Sequence, residues 1–376
     1  MIDGWTPVYG GGQNHVWEIC RHLIKNHNCK IDLYVRSLKD DKGKVYSKNE
    51  EHFNGKLKII RVGPAFKFFS PLGRLLHILL TPFYVKGDYD IIHAHAYMSA
   101  FPAKIMRFFK KIPLVFTVHG TGLEVMEELS SGKLSYKIKR FFEELILLKM
   151  RYDLEITVSR DFMKYKNNNK VTYIPNGMDI EKFDKIKTKR EKSLFKMIFV
   201  GRFSKQKGLA YLISALEVAV KQNNRLRLFL VGDGEEKENL ERMVREKGLD
   251  EFVKFCGPLF GMDLVREYKS SNLFVLPSIY EGQPLTLLEA WASKLPVLVT
   301  SVGDNAFMIH EGKNGYLVPP RDEVALGNGI IEASRKKDLN KIGQYSYDYL
   351  RKNYTWDIIA GKLFGRYQEL VRWSQK

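Results

Sequence analysis

Residues 280–290 read YEGQPLTLLEA and follow an apolar run, LFVL at 273–276, and a turn at Pro277-Ser278. A short apolar run closed by a turn reads as a buried strand. Pro284 suits the first position of a helix, where its missing N–H costs nothing. Strand, tight loop and helix in that order form part of a parallel βαβ unit. Glu281 lies in the loop, and Glu289, eight residues on, lies about one turn inside the helix. The helix start turns free amides and a positive dipole end towards whatever docks there, which favours phosphate. A carboxylate accepts two hydrogen bonds, as the vicinal hydroxyls of a ribose or hexose would offer. Two glutamates alone would equally suit a loop acid and a solvent-facing helical acid, so neighbouring motifs must decide.

Residues 199–208, FVGRFSKQKG, supply the next one. A strand ends at Val200, Gly201 allows a close backbone turn, and Arg202 and Lys207 precede a helix from about Leu209. Two cations at the carboxyl end of a parallel strand stand where an open α/β sheet binds a diphosphate. The turns at Gly232 (VGDG, 231–234) and at Gly257-Pro258 fall at the same sheet edge. Earlier in the chain, Gly10-Gly11-Gly12 precedes a helix as a phosphate-cradling turn does. His119-Gly120 ends the apolar strand at 114–118.

Strands and helices alternate throughout, the pattern of an α/β fold with parallel sheets. One strand series is expected at 31–35, 57–62, 91–94, 114–118, 154–158 and 171–174, and a second at 196–200, 227–231, 253–256, 273–276 and 297–299. Helices are expected at 12–26, 136–151, 209–222 and 235–247. The charged stretch 182–193, KFDKIKTKREKS, reads as a linker. The expected domains are therefore 1–185, 194–355 and a terminal helix at 356–376, apolar at Ile358, Ile359, Leu363, Tyr367 and Leu370. Nine residues precede the glycine triplet and contain no apolar run, so the first strand of the first domain is expected to be missing, through truncation or a start called too late.

At 376 residues the chain exceeds one hydrophobic core. Three cysteines without a CxxC pair argue against a disulfide framework or structural zinc and suit a reducing cytoplasm. The net charge of +18 attracts polyanions: nucleic acid, phosphorylated substrates or an anionic membrane. Residues 1–17 lack the basic start and apolar run of a secretory leader, and no apolar run has the ~20 residues needed to span a bilayer. The best candidate, PAFKFFSPLGRLLHILLTPFYV at 64–85, is broken by Lys67, Arg74, His77 and prolines. It suits lying on a membrane, and a peripheral place on the inner face of the membrane is the corresponding localisation.

The glycine turn, the strand with His-Gly, IPNGMD (174–179), VGRFSKQKG, VGDG and EGQPLTLLEA occur in an order and spacing that resemble glycosyltransferase family 4. The resemblance covers nearly the whole chain. It implies the GT-B fold, two Rossmann-like domains facing across a cleft, with the C-terminal helix crossing back to the first domain. It also implies a nucleotide-sugar donor, retention of anomeric configuration, and no cofactor. By that resemblance Arg202 and Lys207 neutralise the donor diphosphate, Glu289 holds the ribose, and Glu281 contacts the transferred sugar. The amides of Gly282, Gln283, Pro284 and Leu285 would face sugar and phosphate, although proline offers none. His119 resembles the histidine beside the reacting sugar, Gly11 and Gly12 the loop closing over the diphosphate, and Gly201, Gly232 and Pro258 the turns flanking the nucleotide. Gly282-Gln283-Pro284 stands where the family has Gly-Phe-Gly, which alters sugar selectivity.

Cations and helix starts that stabilise a departing diphosphate allow catalysis without a divalent metal. Asp88-Tyr89-Asp90 spells a DxD but reads as the polar approach to the strand at 91–94. His93-x-His95 invites a metal, yet the sequence puts no third ligand nearby, so no metal site is expected. Retention follows from front-face attack or from double displacement with Glu281 as nucleophile; the resemblance favours the first. A nucleic-acid binder, or a basic membrane-binding protein without transferase activity, would also explain the charge, but residues 104–111 (KIMRFFKK), the closest match to interleaved basic and aromatic residues, fit an amphipathic helix equally. An epimerase lacks this Arg and Lys with paired glutamates, and a phosphorylase needs a pyridoxal lysine and a longer chain. The Phe- and Leu-rich, basic-flanked segments 64–85 and 104–111 point to a lipid-linked acceptor at an anionic membrane rather than a soluble one. The base, UDP or GDP, is not legible.

Overall fold

The computed structural model describes residues 1–5, 10–40, 42–95, 97–119, 146, 149–165 and 171–374. The chain divides into two compact units, Met1–Gly177 with Trp356–Lys376, and Met178–Thr355. The expected helix at 136–151 lies almost wholly outside the described residues.

The first unit contains α1 (Gly11–His27), β1 (Ile31–Leu38), β2 (Asn49–His52), β3 (Leu57–Phe66), α2 (Pro71–Tyr84), β4 (Ile92–His95), α3 (Ala100–Lys110), β5 (Leu114–Val118), β6 (Leu154–Thr157) and β7 (Val171–Tyr173). Its strands run β1-β3-β2 and β4-β5-β6-β7, parallel except for β2. β2, NEEH, carries no apolar alternation and was not legible as a strand. Ile2 joins the two groups by single parallel bridges to Val35 of β1 and His95 of β4. The Ile2 N–H donates to the Tyr34 carbonyl at 3.2 Å, and the His95 N–H donates to the Met1 carbonyl at 2.8 Å. Where the first strand was expected to be missing, Met1 and Ile2 supply a two-residue stub, and no strand is assigned before α1 among the described residues. Ile2 is 2% exposed.

The second unit contains α4 (Glu181–Asp184), β8 (Phe195–Val200), α5 (Leu209–Gln222), β9 (Leu226–Val231), α6 (Lys237–Glu246), β10 (Val253–Gly257), α7 (Gly261–Ser270), β11 (Leu273–Leu276), α8 (Leu285–Ala292), β12 (Val297–Thr300), α9 (Asn305–Met308), β13 (Tyr316–Val318), α10 (Glu323–Arg335) and α11 (Leu339–Asn353). Six parallel strands follow the order β10-β9-β8-β11-β12-β13 without interruption. The stretch 182–193, read as a linker, starts inside this unit. Phe183 and Ile186 are buried in its core with Met178, so two apolar residues within a charged run move the boundary to 177/178.

The terminal helix α12 (Trp356–Ser374) belongs to the first unit. It buries Trp356, Ile359, Ala360 and Leu363 in a cluster with Ile19 and Leu23 of α1 and Ile156 of β6. Trp356 lies over Gly177, where a Cβ would meet its ring at 2.5 Å. A cavity of about 910 Å³ beside Met1 is lined by the start of β1, the approach to β4, and α12.

Candidate functional site

Parallel strands bring their carboxyl ends to one edge, where loops rather than strands meet a ligand. In the second unit the loops after β8 and β11 are laced together. The Ile279 N–H donates to the Gln206 carbonyl at 2.8 Å, and Gln206 Nε2 donates to the Tyr280 carbonyl at 3.1 Å. Gly208, at φ +64, approaches so closely that a Cβ would sit 2.1 Å from the Pro277 carbonyl oxygen. Across the loop Gly303, at φ +50, leaves only 1.8 Å for a Cβ before the Glu281 carbonyl oxygen.

This lacing brings together two residues expected to play separate roles. Lys207 Nζ donates to Glu281 Oε1 at 2.5 Å, and Ser278 Oγ donates to the same oxygen at 2.6 Å. Glu281 is 5% exposed, so this pair is held by fixed neighbours rather than by chance. A buried charge persists only where it is paired and hydrogen-bonded, and both conditions are met. Glu289, on α8, accepts a hydrogen bond from the Tyr268 hydroxyl of α7 at 2.9 Å. Burial raises the Glu289 carboxyl above its ordinary range, with Lys182 and the Tyr268 bond opposing.

The remaining expected donor residues frame this edge. Arg202 is exposed and pairs with Glu235 at 3.1 Å, a surface pair that constrains little and leaves its guanidinium available. The Gly201 N–H donates to the Val231 carbonyl at 3.0 Å and the Gly232 N–H to the Gly257 carbonyl at 2.9 Å, tying the successive turns together. Pro258 follows, exposed. The Gly282 carbonyl accepts the Asp304 N–H at 3.1 Å. Gln283 is buried, and Pro284 is the N-cap of α8, one position before the expected one, so Leu285 opens the helix.

The first unit gathers histidines. Gly11 opens α1, and a Cβ on Gly12 would touch the His119 ring at 3.9 Å. His15, about one turn into α1, faces Asn176 Oδ1 from its Nδ1 at 2.8 Å. His95 Nδ1 lies 3.1 Å from His119 Nε2. A nitrogen from each of His15, His95 and His119 lies within 4.8 Å of the others. The expectation that His95 has no further potential ligand nearby is therefore corrected: α1 and the end of β5 supply two. His93 is engaged elsewhere, 2.5 Å from the Tyr367 hydroxyl and 2.7 Å from Thr117 Oγ1. Burial lowers the His15 pKa to about 4 and holds His93, His95 and His119 well below the ordinary value, with neighbouring histidines adding to the depression. These imidazoles are neutral at pH 7. Asp88 and Asp90 are exposed, while Tyr89 between them donates to Asp32 Oδ2 at 2.5 Å.

Sequence reading assigned no role to His15, Asn176, Ser278, Tyr268 or Glu235. Asn176 lay within the quoted IPNGMD; the others carry no local signal and are found only by their contacts.

Residues 9–182 match the family described as Glycosyltransferase Family 4, and residues 179–349 match Glycosyl transferases group 1. The chain is 30% identical over 273 residues to the UDP-Gal:alpha-D-GlcNAc-diphosphoundecaprenol alpha-1,3-galactosyltransferase of Escherichia coli, covering 68% of this chain and 69% of that protein. It belongs to glycosyltransferase family 4. A second family relative, an uncharacterized glycosyltransferase of Methanocaldococcus jannaschii, is 28% identical over 300 residues, covering 74% of this chain and 75% of its own. Sucrose-phosphate synthase from Thermosynechococcus elongatus aligns at a TM-score of 0.80 and 23% identity, covering 96% of this chain and 94% of that one. HepE of Anabaena, in complex with UDP, aligns at 0.71 and 18% identity over 98% of both chains. The fold of this family 4 glycosyltransferase is accordingly GT-B.

Proposed function

We propose that this glycosyltransferase transfers a sugar, with retention and without a divalent metal, from a nucleotide diphosphate to a lipid-linked acceptor. The observation that carries the reading is the Lys207–Glu281 pair, buried in laced loops at the carboxyl edge of a parallel sheet. A diphosphate at that edge would draw on Lys207 and on Arg202, whose exposed guanidinium forms bidentate hydrogen bonds with phosphate. Fixed cations and the start of α8 would then stabilise the charge that builds as the glycosidic bond opens, at no reorganisation cost. Glu289 is the expected partner of the ribose hydroxyls and Glu281 of the transferred sugar, with His119 the expected neighbour of the reacting sugar. Glu281 Oε1 already accepts from Lys207 and Ser278, which blunts it as a nucleophile. Front-face attack, with the departing phosphate taking the acceptor proton, is favoured for that reason.

UDP is the preferred base because the Escherichia coli relative is named for a UDP-sugar and HepE was solved with UDP. The same relative's diphosphoundecaprenol acceptor supports the lipid-linked choice. Nucleotides that bind only the native state raise the melting temperature with concentration. UDP or GDP and their sugar conjugates are expected to stabilise the wild type and to lose that effect in Glu289→Ala. No shift from any nucleotide would overturn the donor reading. Transfer that survives chelation, with the first-formed anomer matching the donor by NMR, would test the other two parts.

A further inference from the structure

Helix α2 carries an apolar stripe that faces away from the core. Its buried positions are Gly73, His77 and Thr81, four residues apart, while Leu72, Leu75, Leu79 and Phe83 are 53%, 52%, 51% and 76% exposed. A surface helix normally turns its apolar stripe to the core and its polar stripe to water. Here the spacing of three and four residues keeps the outward residues on one face, while Leu80 and Tyr84 are partly buried against the core, so the helix is apolar on both sides. Burial lowers the His77 pKa to about 3, so it is neutral, and its Nε2 has no partner among the described residues. Phe69, just before the helix, is 80% exposed.

The neighbouring helix α3 repeats the theme at its carboxyl end, where Phe108 and Phe109 are 80% and 71% exposed. Lys110 Nζ donates to the Gly87 carbonyl, three residues past the end of α2, at 2.5 Å. That contact brings the two carboxyl ends, with Phe83, Phe108 and Phe109, into one corner. Residues 67–111 carry seven Lys and Arg against two Asp. Contiguous exposed apolar surface on a soluble protein marks an interaction site. Aromatic and leucine side chains among basic ones match the boundary of a bilayer with negative headgroups.

We propose that the outward face of α2 and the carboxyl end of α3 form a docking surface for an anionic lipid bilayer. The proposal deepens, and for its purpose rests on, the reading of the acceptor as lipid-linked. Charge complementarity selects a bilayer over a second copy of this chain, because two such basic corners would repel.

The test is co-sedimentation of the full chain with phosphatidylcholine vesicles, with and without phosphatidylglycerol, at low and high salt. Wild type should partition onto the anionic vesicles. Leu75→Glu with Leu79→Glu should reduce partition tenfold or more, and Lys67→Gln with Lys86→Gln should reduce it severalfold and weaken its salt dependence. Nucleotide stabilisation, measured on the same samples, should be unchanged in both variants. Wild type that ignores anionic vesicles overturns the proposal, as does undiminished binding by the leucine variant. So does a wild-type dimer that the leucine variant dissociates while neither form binds lipid. Vesicle binding without any nucleotide shift would remove the donor reading and leave the docking surface standing.

Discussion

The two units solve the same problem, a parallel sheet carrying a ligand edge, with opposite degrees of security. In the second unit six strands run without interruption and their loops are fixed by backbone contacts too close for any side chain. In the first unit two groups of strands meet through Ile2, and the ligand edge is a cluster of imidazoles. Eight of the nine histidines, all but His310, fall in the first unit. Five of them (His15, His77, His93, His95 and His119) have lowered pKa values from burial. Rigidity is thus concentrated where the donor is proposed to sit, and proton sensitivity where the acceptor is.

The largest expected difference is therefore in acid. A histidine whose pKa is lowered by folding contributes stability above its unfolded value of about 6.5 that is lost as pH falls through that value. The loss continues until the folded group itself takes a proton, at about 4 for His15 and about 3 for His77. Each such group contributes a slope of up to about 1.4 kcal/mol per pH unit. Calorimetry between pH 7 and 5 should show the first unit melting progressively earlier while the second holds. A single transition moving as one would erase the distinction.

Next in size, Gly303→Ala should push the Glu281 loop away, destabilise the second unit by about 3 kcal/mol or more, and abolish nucleotide stabilisation. Unchanged nucleotide binding in that variant would mean that the close approach is incidental to the site. Ile2→Ala should cost about 2–4 kcal/mol, confined to the first unit, with faster hydrogen exchange at the His95 and Ile2 amides and none at β8 or β11. The smallest effect is expected from His77→Leu. Replacing a buried polar group that lacks a full set of partners is neutral to about 1 kcal/mol stabilising, and urea titrations below pH 6 should show the gain growing.

Five of the six strands of the second unit were legible as short apolar runs closed by turns, as at 199–208 and 273–284, whereas the three-residue β13 was not. The loop positions of Arg202, Lys207 and Glu281 and the helical position of Glu289 were legible from the flanking strands and glycine or proline turns. Their pairing was not, since Lys207 meets Glu281 across 74 residues and no local pattern encodes that register. His15 sits in the first turns of α1 among ordinary neighbours, and only Asn176 and the ends of β4 and β5 give it meaning. The strand stub escaped because two residues have no periodicity. The linker was misread because Phe183 and Ile186 are outnumbered by charges around them. Helix α2 shows the opposite failure: its apolar content was plain in the sequence, but which way that content faced was not.

The join at Ile2 has a mechanical corollary. A sheet whose every strand shares a full ladder behaves like woven cloth, tearing only when many bonds fail at once. One fastened at a single residue behaves like a perforated page, with its line of separation already drawn. Few backbone hydrogen bonds tie the β1-β3-β2 panel to β4, so their union rests on the shared core of Tyr34 and Val62 with Ile92, Ala94 and Phe116; were that core loosened, each panel would present a raw strand edge to any other chain nearby. Heat or acid should open this page along that line before anything else in the molecule gives way.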